Sequence, residues 1–339
     1  MEAYLYLIIG FIFLIGGSEI LIRGSVSLAS ILNVSPFVIG VVVVAGGTSL
    51  PELASSIQAI RLNIEDIVIG NVVGSNIANI ILIIGAVAVV HPIIQKKNYF
   101  QKPDTSFSLV HKVAFHVGKN KSDFVAILTS IFFIYCCLKG EVNFLDGILM
   151  LVGLAIFIYA LFSNKEQEIE KHEDQKLKLL VTIIFLIGGL FGVIIGSWLF
   201  IDSASIIATS FGISATVIGI TIVAFGTSLP ELTTGLMAAF KKQTDFAIGN
   251  ILGSNIYNIL GVLGVSSLIK NLSMPELDRK LEIQEIGLKL NFDNLNFDAF
   301  FILFLTLLFL YLLRKKGKIG KITGIIFLLS YFIYIGVSI

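Results

Sequence analysis

Glu52 stands three residues after Ser49 and four after Thr48. On a helix that spacing brings a carboxylate and two hydroxyls to one face. The stretch that holds them, Ala45-Gly46-Gly47-Thr48-Ser49-Leu50-Pro51-Glu52, also contains a proline that cannot donate to the Gly47 carbonyl, with two glycines just before it. A kink or unwound turn is expected, leaving carbonyl oxygens near Ala45–Gly47 without helix partners. Carbonyls, hydroxyls and a carboxylate are hard oxygen ligands, suited to Ca2+, Na+ or a similar ion and not to zinc or copper.

The same words return 179 positions later as Ala224-Phe225-Gly226-Thr227-Ser228-Leu229-Pro230-Glu231, so that Thr227, Ser228 and Glu231 repeat the set. A second motif follows each copy: Gly70-Asn71-Val72-Val73-Gly74-Ser75-Asn76-Ile77-Ala78-Asn79, then Gly249-Asn250-Ile251-Leu252-Gly253-Ser254-Asn255-Ile256-Tyr257-Asn258. Ser75 and Asn79 are four apart, as are Ser254 and Asn258, and each pair adds a hydroxyl and an amide oxygen to one helix face. Asn71, Asn76, Asn250 and Asn255 are candidates to cap or bridge the broken helices instead.

The elements that position these residues are membrane spans. Of 339 residues, 56% are hydrophobic and 14% charged, and the mean hydropathy of +0.93 excludes an ordinary water-soluble chain. A spanning helix needs about 20 apolar residues. Ten such segments are predicted, at approximately 3–22, 36–61, 66–90, 122–138, 144–162, 178–201, 214–240, 245–269, 298–314 and 319–338. The polar stretches 95–122 and 271–296 read as surface loops with a little structure. Net charge of +1 and the lack of a basic stripe give no reason to expect nucleic acid. Cys136 and Cys137 are adjacent in an apolar run, which suits packing and not a disulfide or metal site. The first twenty residues have no basic n-region or small-residue cleavage site and read as a retained span. Glu19 and Asp202 lie near span ends and Trp198 is placed to anchor at an interface.

Residues 40–85 and 219–264 are identical at 22 of 46 aligned positions. The chain therefore divides into a first five-helix repeat (1–162), a cytoplasmic linker (163–178) and a second five-helix repeat (179–339). An odd number of spans inverts the second copy relative to the first, an architecture that places a binding site near the midplane where the halves meet. With the N-terminus outside, 18 Lys and Arg fall on inward-facing segments and 6 on outward-facing ones, which puts both termini outside and the linker in the cytoplasm. The fold expected is all-α and integral to the membrane, with broken helices at the midplane.

Glu52 and Glu231 are the clear carboxylates deep in the repeated spans, and no Lys or Arg there pairs with them. Burying an unpaired carboxylate costs several kcal/mol or forces proton uptake. A mobile divalent cation balances two of them, and sodium ions can substitute in numbers, which favours exchange over a fixed structural ion.

GTSLPE followed by GN-x-x-GSN-x-x-N, in two inverted copies, resembles the signature repeats of the sodium/calcium exchangers of the cation/calcium exchanger superfamily, in their prokaryotic form. The resemblance implies alternating access, with Ca2+ and Na+ competing for one cluster of ligands. Carried onto this chain, those ligands are Thr48, Ser49, Glu52, Ser75, Asn79, Thr227, Ser228, Glu231, Ser254 and Asn258, with the backbone carbonyls of Ala45 and Ala224. Some archaeal and potassium-dependent relatives have aspartate where Asn258 stands, so a K+-independent mode is expected. The cation/proton branch has an acidic residue after its Gly-Asn pair, whereas Val72, Val73, Ile251 and Leu252 follow it here. The sixteen-residue linker has no room for a large regulatory domain, which points to a prokaryotic plasma membrane. No cofactor is expected, the partners being the two ions and the bilayer, and no protein partner is identified. The other readings are a cation/H+ or other-cation antiporter of the same fold and, from another class, a cation channel or membrane sensor. No nucleotide loop or nucleophile–base pair suggests an enzyme.

Overall fold

The computed structural model describes residues 2–94, 121–162, 177–213, 224–274, 278–283, 288–315 and 317–338. The expected loop at 95–122, the expected linker and the start of the seventh span fall largely outside them.

The described chain is built almost entirely of helices. It opens with α1 (Glu2–Leu32). A broken span follows: α2 (Pro36–Ile39), a π-helical turn over Gly40–Val44, α3 (Ala45–Thr48) and α4 (Leu50–Arg61). The third span is α5 (Asp66–Ile77), a π-helical turn over Ala78–Ile83, and α6 (Ile84–Val90). Then come α7 (Lys121–Lys139), α8 (Phe144–Phe162) and α9 (Leu179–Ser210). The second copy of the motifs lies on α10 (Ala224–Thr227), α11 (Leu229–Phe240), α12 (Thr244–Ile256), a π-helical turn over Tyr257–Leu263, and α13 (Gly264–Ile269). The chain closes with α14 (Asn294–Lys315) and α15 (Lys321–Ser338). Among the described residues, eight helical segments are long and apolar enough to cross a membrane.

Burial sorts these spans into a core and a coat. In Asp66–Val90 and Thr244–Ile269, 83% and 78% of the apolar window is buried, against 33% in α1 and 22% in α9. The third and eighth spans, which carry the GN-x-x-GSN-x-x-N motifs, are therefore the centre of the protein. Outer helices expose large apolar side chains such as Tyr159, Leu180, Trp198, Ile322 and Phe332, the arrangement lipid requires and water does not.

Helices α1 and α9 run longer than the expected 3–22 and 178–201, reaching 31 and 32 residues. At about 1.5 Å per residue each is roughly 46 Å long, well beyond a hydrocarbon core of about 30 Å. Arg23 and Asp202 are polar but break nothing. The helices stop only where the backbone turns left-handed, at Asn33 (φ 53°) and Gly212 (φ 79°). The two pack along their lengths, and glycine makes the contact possible: a Cβ on Gly17 would sit 2.7 Å from the Val193 amide nitrogen. The hydroxyls of Ser27 and Thr182 meet at 2.7 Å near one end of the crossing.

Small antiparallel pairs tie the loops. β1 (Ile93–Ile94) pairs with β6 (Lys318–Ile319), and β2 (Glu141–Val142) with β3 (Leu272–Ser273). The expected loop 271–296 contains a longer hairpin, β4 (Asp278–Ile283) against β5 (Leu288–Asp293), with Asp278 opposite Asp293 and Ile283 opposite Leu288. The alternation in its sequence was a strand signal with too little apolar content to stand out beside the spans. Nearby, the Lys270 ammonium pairs with Glu65 in the α4–α5 turn and holds that carboxyl below the usual carboxylate range.

Candidate cation site

Each broken helix turns at a serine. Ser49 lies between α3 and α4 with φ −82° and ψ 4°; Ser228 lies between α10 and α11 with φ −87° and ψ 3°. Pro51 and Pro230 occupy the first turn of the helix that restarts, where a missing N–H breaks no bond of that helix. Glu52 and Glu231 fall in the same first turns, at the positive ends of α4 and α11. Each is 1% exposed. The break thus comes later than the expected Ala45–Gly47. The Ala45 carbonyl accepts the Ser49 N–H at 3.0 Å and the Thr48 hydroxyl at 3.4 Å, and Ala224 opens α10.

The second motifs supply π-helical turns that the sequence did not announce. Asn79 is the second residue of one, Asn258 the second of the other. A π turn widens the helix and shifts the following side chains around the axis, a distortion common at functional sites. Packing crosses the repeats: α4 and α5 lie on the turn holding Asn258, while α11 and α12 lie on the turn holding Asn79.

Asparagines brace this frame. The Asn71 amide donates to the Glu52 carbonyl at 3.1 Å and to the Ser55 and Ser56 hydroxyls at 3.2 Å, joining α5 to α4. The Asn250 amide donates to the Thr234 hydroxyl at 3.1 Å, joining α12 to α11. Both are bridges, as expected. Asn76 instead donates to Val72 of its own helix at 2.9 Å, whereas Asn79 reaches across the repeats to donate to Oδ1 of Asn255 at 2.9 Å. That bond ties off the Asn79 donor and leaves its carbonyl oxygen for another partner.

The remaining oxygens define the site. Ser49 Oγ, Glu52 Oε2, Asn79 Oδ1, Ser228 Oγ, both carboxylate oxygens of Glu231, Ser254 Oγ and Asn258 Oδ1 are all buried with no hydrogen-bond partner. Leaving one such group unsatisfied costs about 1–3 kcal/mol, and more when it is charged. The Glu231 carboxylate lies close to Thr48 and Ser49 of the first copy and to Ser254 of its own, and it is near enough to Glu52 for the two charges to interact. Ser75 is buried at 4% exposure, and Thr227 is half-buried. The donor set is two carboxylates with hydroxyl and amide oxygens. Among the described residues there is no cluster of three or more His, Cys, Asp and Glu. Such a set fits Ca2+ or Na+. A bound cation would also supply the balancing charge that the two buried carboxylates otherwise lack.

Tyr257 is a residue of the site region that spacing alone did not single out. Its hydroxyl donates to the Val42 carbonyl in the first π-helical turn at 3.0 Å, and its ring lies against Gly46. A phenol amid apolar residues beside Asn258 was the available signal.

The chain is similar to several known proteins along nearly its whole length. Residues 2–163 and 181–339 match the profile of the family described as sodium/calcium exchanger protein. An uncharacterized membrane protein of Methanocaldococcus jannaschii is 36% identical over 331 residues, covering 97% of this chain and 96% of its own. The sodium/calcium exchanger MaX1 of Methanosarcina acetivorans is 30% identical over 306 residues, covering 81% of this chain and 85% of its own. Among solved structures, the sodium-calcium exchanger NCX_Mj soaked with Na+ and Sr2+ superposes with a TM-score of 0.79 at 35% identity, over 99% of this chain and 98% of that one.

Proposed function

The chain belongs to the sodium/calcium exchanger family, and from that premise we propose that it is a secondary antiporter exchanging Na+ for Ca2+ by alternating access, without K+. The observation that carries the reading is the cluster of buried, unpartnered oxygens around Glu52 and Glu231. Two carboxylates are balanced by one Ca2+ or by Na+ ions in numbers, so the two cations compete for the same negative charge. The proposed ligands are the side chains of Thr48, Ser49, Glu52, Ser75, Asn79, Thr227, Ser228, Glu231, Ser254 and Asn258 with the carbonyls of Ala45 and Ala224, the Ala45 carbonyl exchanging the long Thr48 hydroxyl bond for the cation. Asparagine at both 79 and 258 leaves no third carboxylate for a co-transported K+.

Residues 1–162 and 179–339 act as two inverted five-span repeats joined by a cytoplasmic linker, with both termini outside a prokaryotic plasma membrane. Access changes when the α1–α9 pair moves against the core. That pair packs against both half-sites: Leu190 lies over Gly47, Ile201 over Gly226, and the Ser197 hydroxyl donates to the Gly226 carbonyl at 3.0 Å. A cation-free site leaves two like charges buried together, which resists reorientation and couples the movement of one ion to that of the other.

The test is Ca2+ uptake into proteoliposomes holding the full chain and loaded with Na+. Uptake should follow the outward Na+ gradient and need no K+. Uptake driven by a pH gradient alone would replace this reading with proton antiport, and conductance without a counter-ion would replace it with a channel.

A further inference from the structure

Beside the cation site, a cavity opens between the two repeats and the helices α7 and α14. It is lined by Asn76 and Asn255, which are equivalent positions of the repeated motif, and by the equivalent pair Ile80 and Ile259. Across from them stand three hydroxyl side chains, Thr129 and Ser130 on α7 and Thr306 on α14. All three are buried, at 3–4% exposure. No lining side chain is charged, and the space holds about one water molecule.

One polar atom here is left over by everything described above. Asn76 is 0% exposed; its amide donates to Val72, yet its Oδ1 has no partner in the protein. An amide oxygen accepts, so it needs a donor. Ser130 cannot serve, because its hydroxyl donates to the Ala126 carbonyl at 2.9 Å, although its lone pairs remain available to a donor. A cation is disfavoured by neutral walls. A water, with two donors and two acceptors, suits a polar cavity of this size.

We propose that this cavity is a water site, and that its water donates to Asn76 Oδ1 and helps hold the two equivalent asparagines in register. The consequence runs into the cation site. Asn255 accepts the Asn79 amide at 2.9 Å and donates to the Asn76 backbone carbonyl at 3.4 Å. A fixed Asn76–Asn255 unit therefore fixes which way the Asn79 oxygen points. Asn76 and Asn255 are positioning residues in this scheme, outside the proposed ligand set, and this second step rests on the ligand role proposed for Asn79.

The experiment pairs an experimental structure of the Ca2+-loaded full chain, at a resolution that shows ordered waters, with transport by the Thr129→Val/Thr306→Val double variant. The expected results are one water peak within hydrogen-bond distance of Asn76 Oδ1, lost in the variant. The variant should also show a KM for Ca2+ raised about threefold or more at an unchanged maximal rate. No peak in the unaltered protein, or an anomalous Ca2+ peak in the cavity, overturns the water site. Loss of the peak with KM unchanged overturns the positioning step. The peak in the unaltered protein is informative even where the double variant does not fold. It is also independent of Glu52 and Glu231, so a failure of the antiport reading stays distinguishable from a failure of this one.

Discussion

Around Ser49 and around Ser228 the backbone makes the same turn to within a few degrees, restarts on the same Leu-Pro-Glu, and buries its glutamate to the same 1%. What holds the two turns in place differs. The first is braced by Tyr257, whose ring lies where a side chain on Gly46 would go, a Cβ there falling 3.0 Å from Cζ. Its hydroxyl reaches the Val42 carbonyl. The second copy has the sizes exchanged: Phe225 stands at the position of Gly46, and Ala78 at that of Tyr257. Asparagine support is uneven too: Asn79 Oδ1 and Asn258 Oδ1 are both unpartnered, but the Asn79 amide also donates to Asn255 across the repeats. The proposed ligands follow the duplication and the scaffold does not, so equivalent ones should fail alike when removed and respond unequally when altered.

Removing the charges gives the largest effect and tests the shared part. Glu52→Gln and Glu231→Gln each take away half of the negative charge that a divalent cation meets. Breaking a buried charge pair costs about 3–5 kcal/mol, so each should lower Ca2+ exchange by about 100-fold or more. Sodium-gradient-driven Ca2+ uptake measures it. Full exchange in both variants would show that the cation binds elsewhere.

Adding a charge separates the halves. Asn258→Asp puts a carboxylate oxygen where an unpartnered amide oxygen already stands, and a further carboxylate should tighten Ca2+ by about tenfold in a titration of the purified protein. Asn79→Asp removes the amide that donates to Asn255 and sets a carboxylate against the Asn255 carbonyl oxygen. That loss offsets the added charge, since a buried acceptor facing another acceptor costs about 1–3 kcal/mol. Equal tightening by both substitutions would mean that the Asn79–Asn255 bond has no part in orienting the ligand.

The brace itself should matter less. Tyr257→Phe removes one hydrogen bond, a loss of about 1 kcal/mol or roughly fivefold in Ca2+ KM. Gly46→Ala forces a methyl against the Tyr257 ring, and the double variant Gly46→Ala/Tyr257→Ala, which resembles neither half fully, should recover part of that loss. Non-additivity between the two sites is the readout.

These differences also mark what was legible beforehand. Pro51, Pro230, the two glutamates and the four-residue spacings made the broken helices and the oxygens they bury readable, because each acts through local geometry that the chain spells out. Asn71 and Asn250 were readable only as candidates, with Asn76 and Asn255, to cap or bridge the broken helices, because their partners lie on another helix. The turn at Ser49 was displaced from Ala45–Gly47 because proline is as content in the first turn of a new helix as in a kink of an old one. The π-helical turns at Ala78–Ile83 and Tyr257–Leu263 carry no composition signal. The contacts of Asn79 with Asn255 and of Tyr257 with Val42 join residues 176 and 215 positions apart, and a single sequence holds no record of such pairs. The lengths of α1 and α9 escaped a reading that let Arg23 and Asp202 end a span, since a charged residue at the membrane surface ends hydrocarbon and not helix.

The weakest asymmetry lies at the rim. Glu19 on α1 accepts from Lys241, just past the end of α11, at 3.0 Å, and also pairs with Arg23. The equivalent positions are Trp198 and Leu62, so no such link exists in the other half. The pair joins the α1–α9 unit to the core on one side only, and it would have to break if that unit moves. Its strength is limited: Glu19 is 36% exposed and Lys241 30%, and ion pairs this open are worth about 0.2–1 kcal/mol. Glu19→Gln should therefore change the exchange rate by less than about fivefold, with the difference shrinking as inert salt is raised, because screening shortens to about 3 Å at 1 M. A loss of tenfold or more that persists in high salt would show that the pair controls the movement, and the asymmetry between the halves would then extend from their scaffold to their gating.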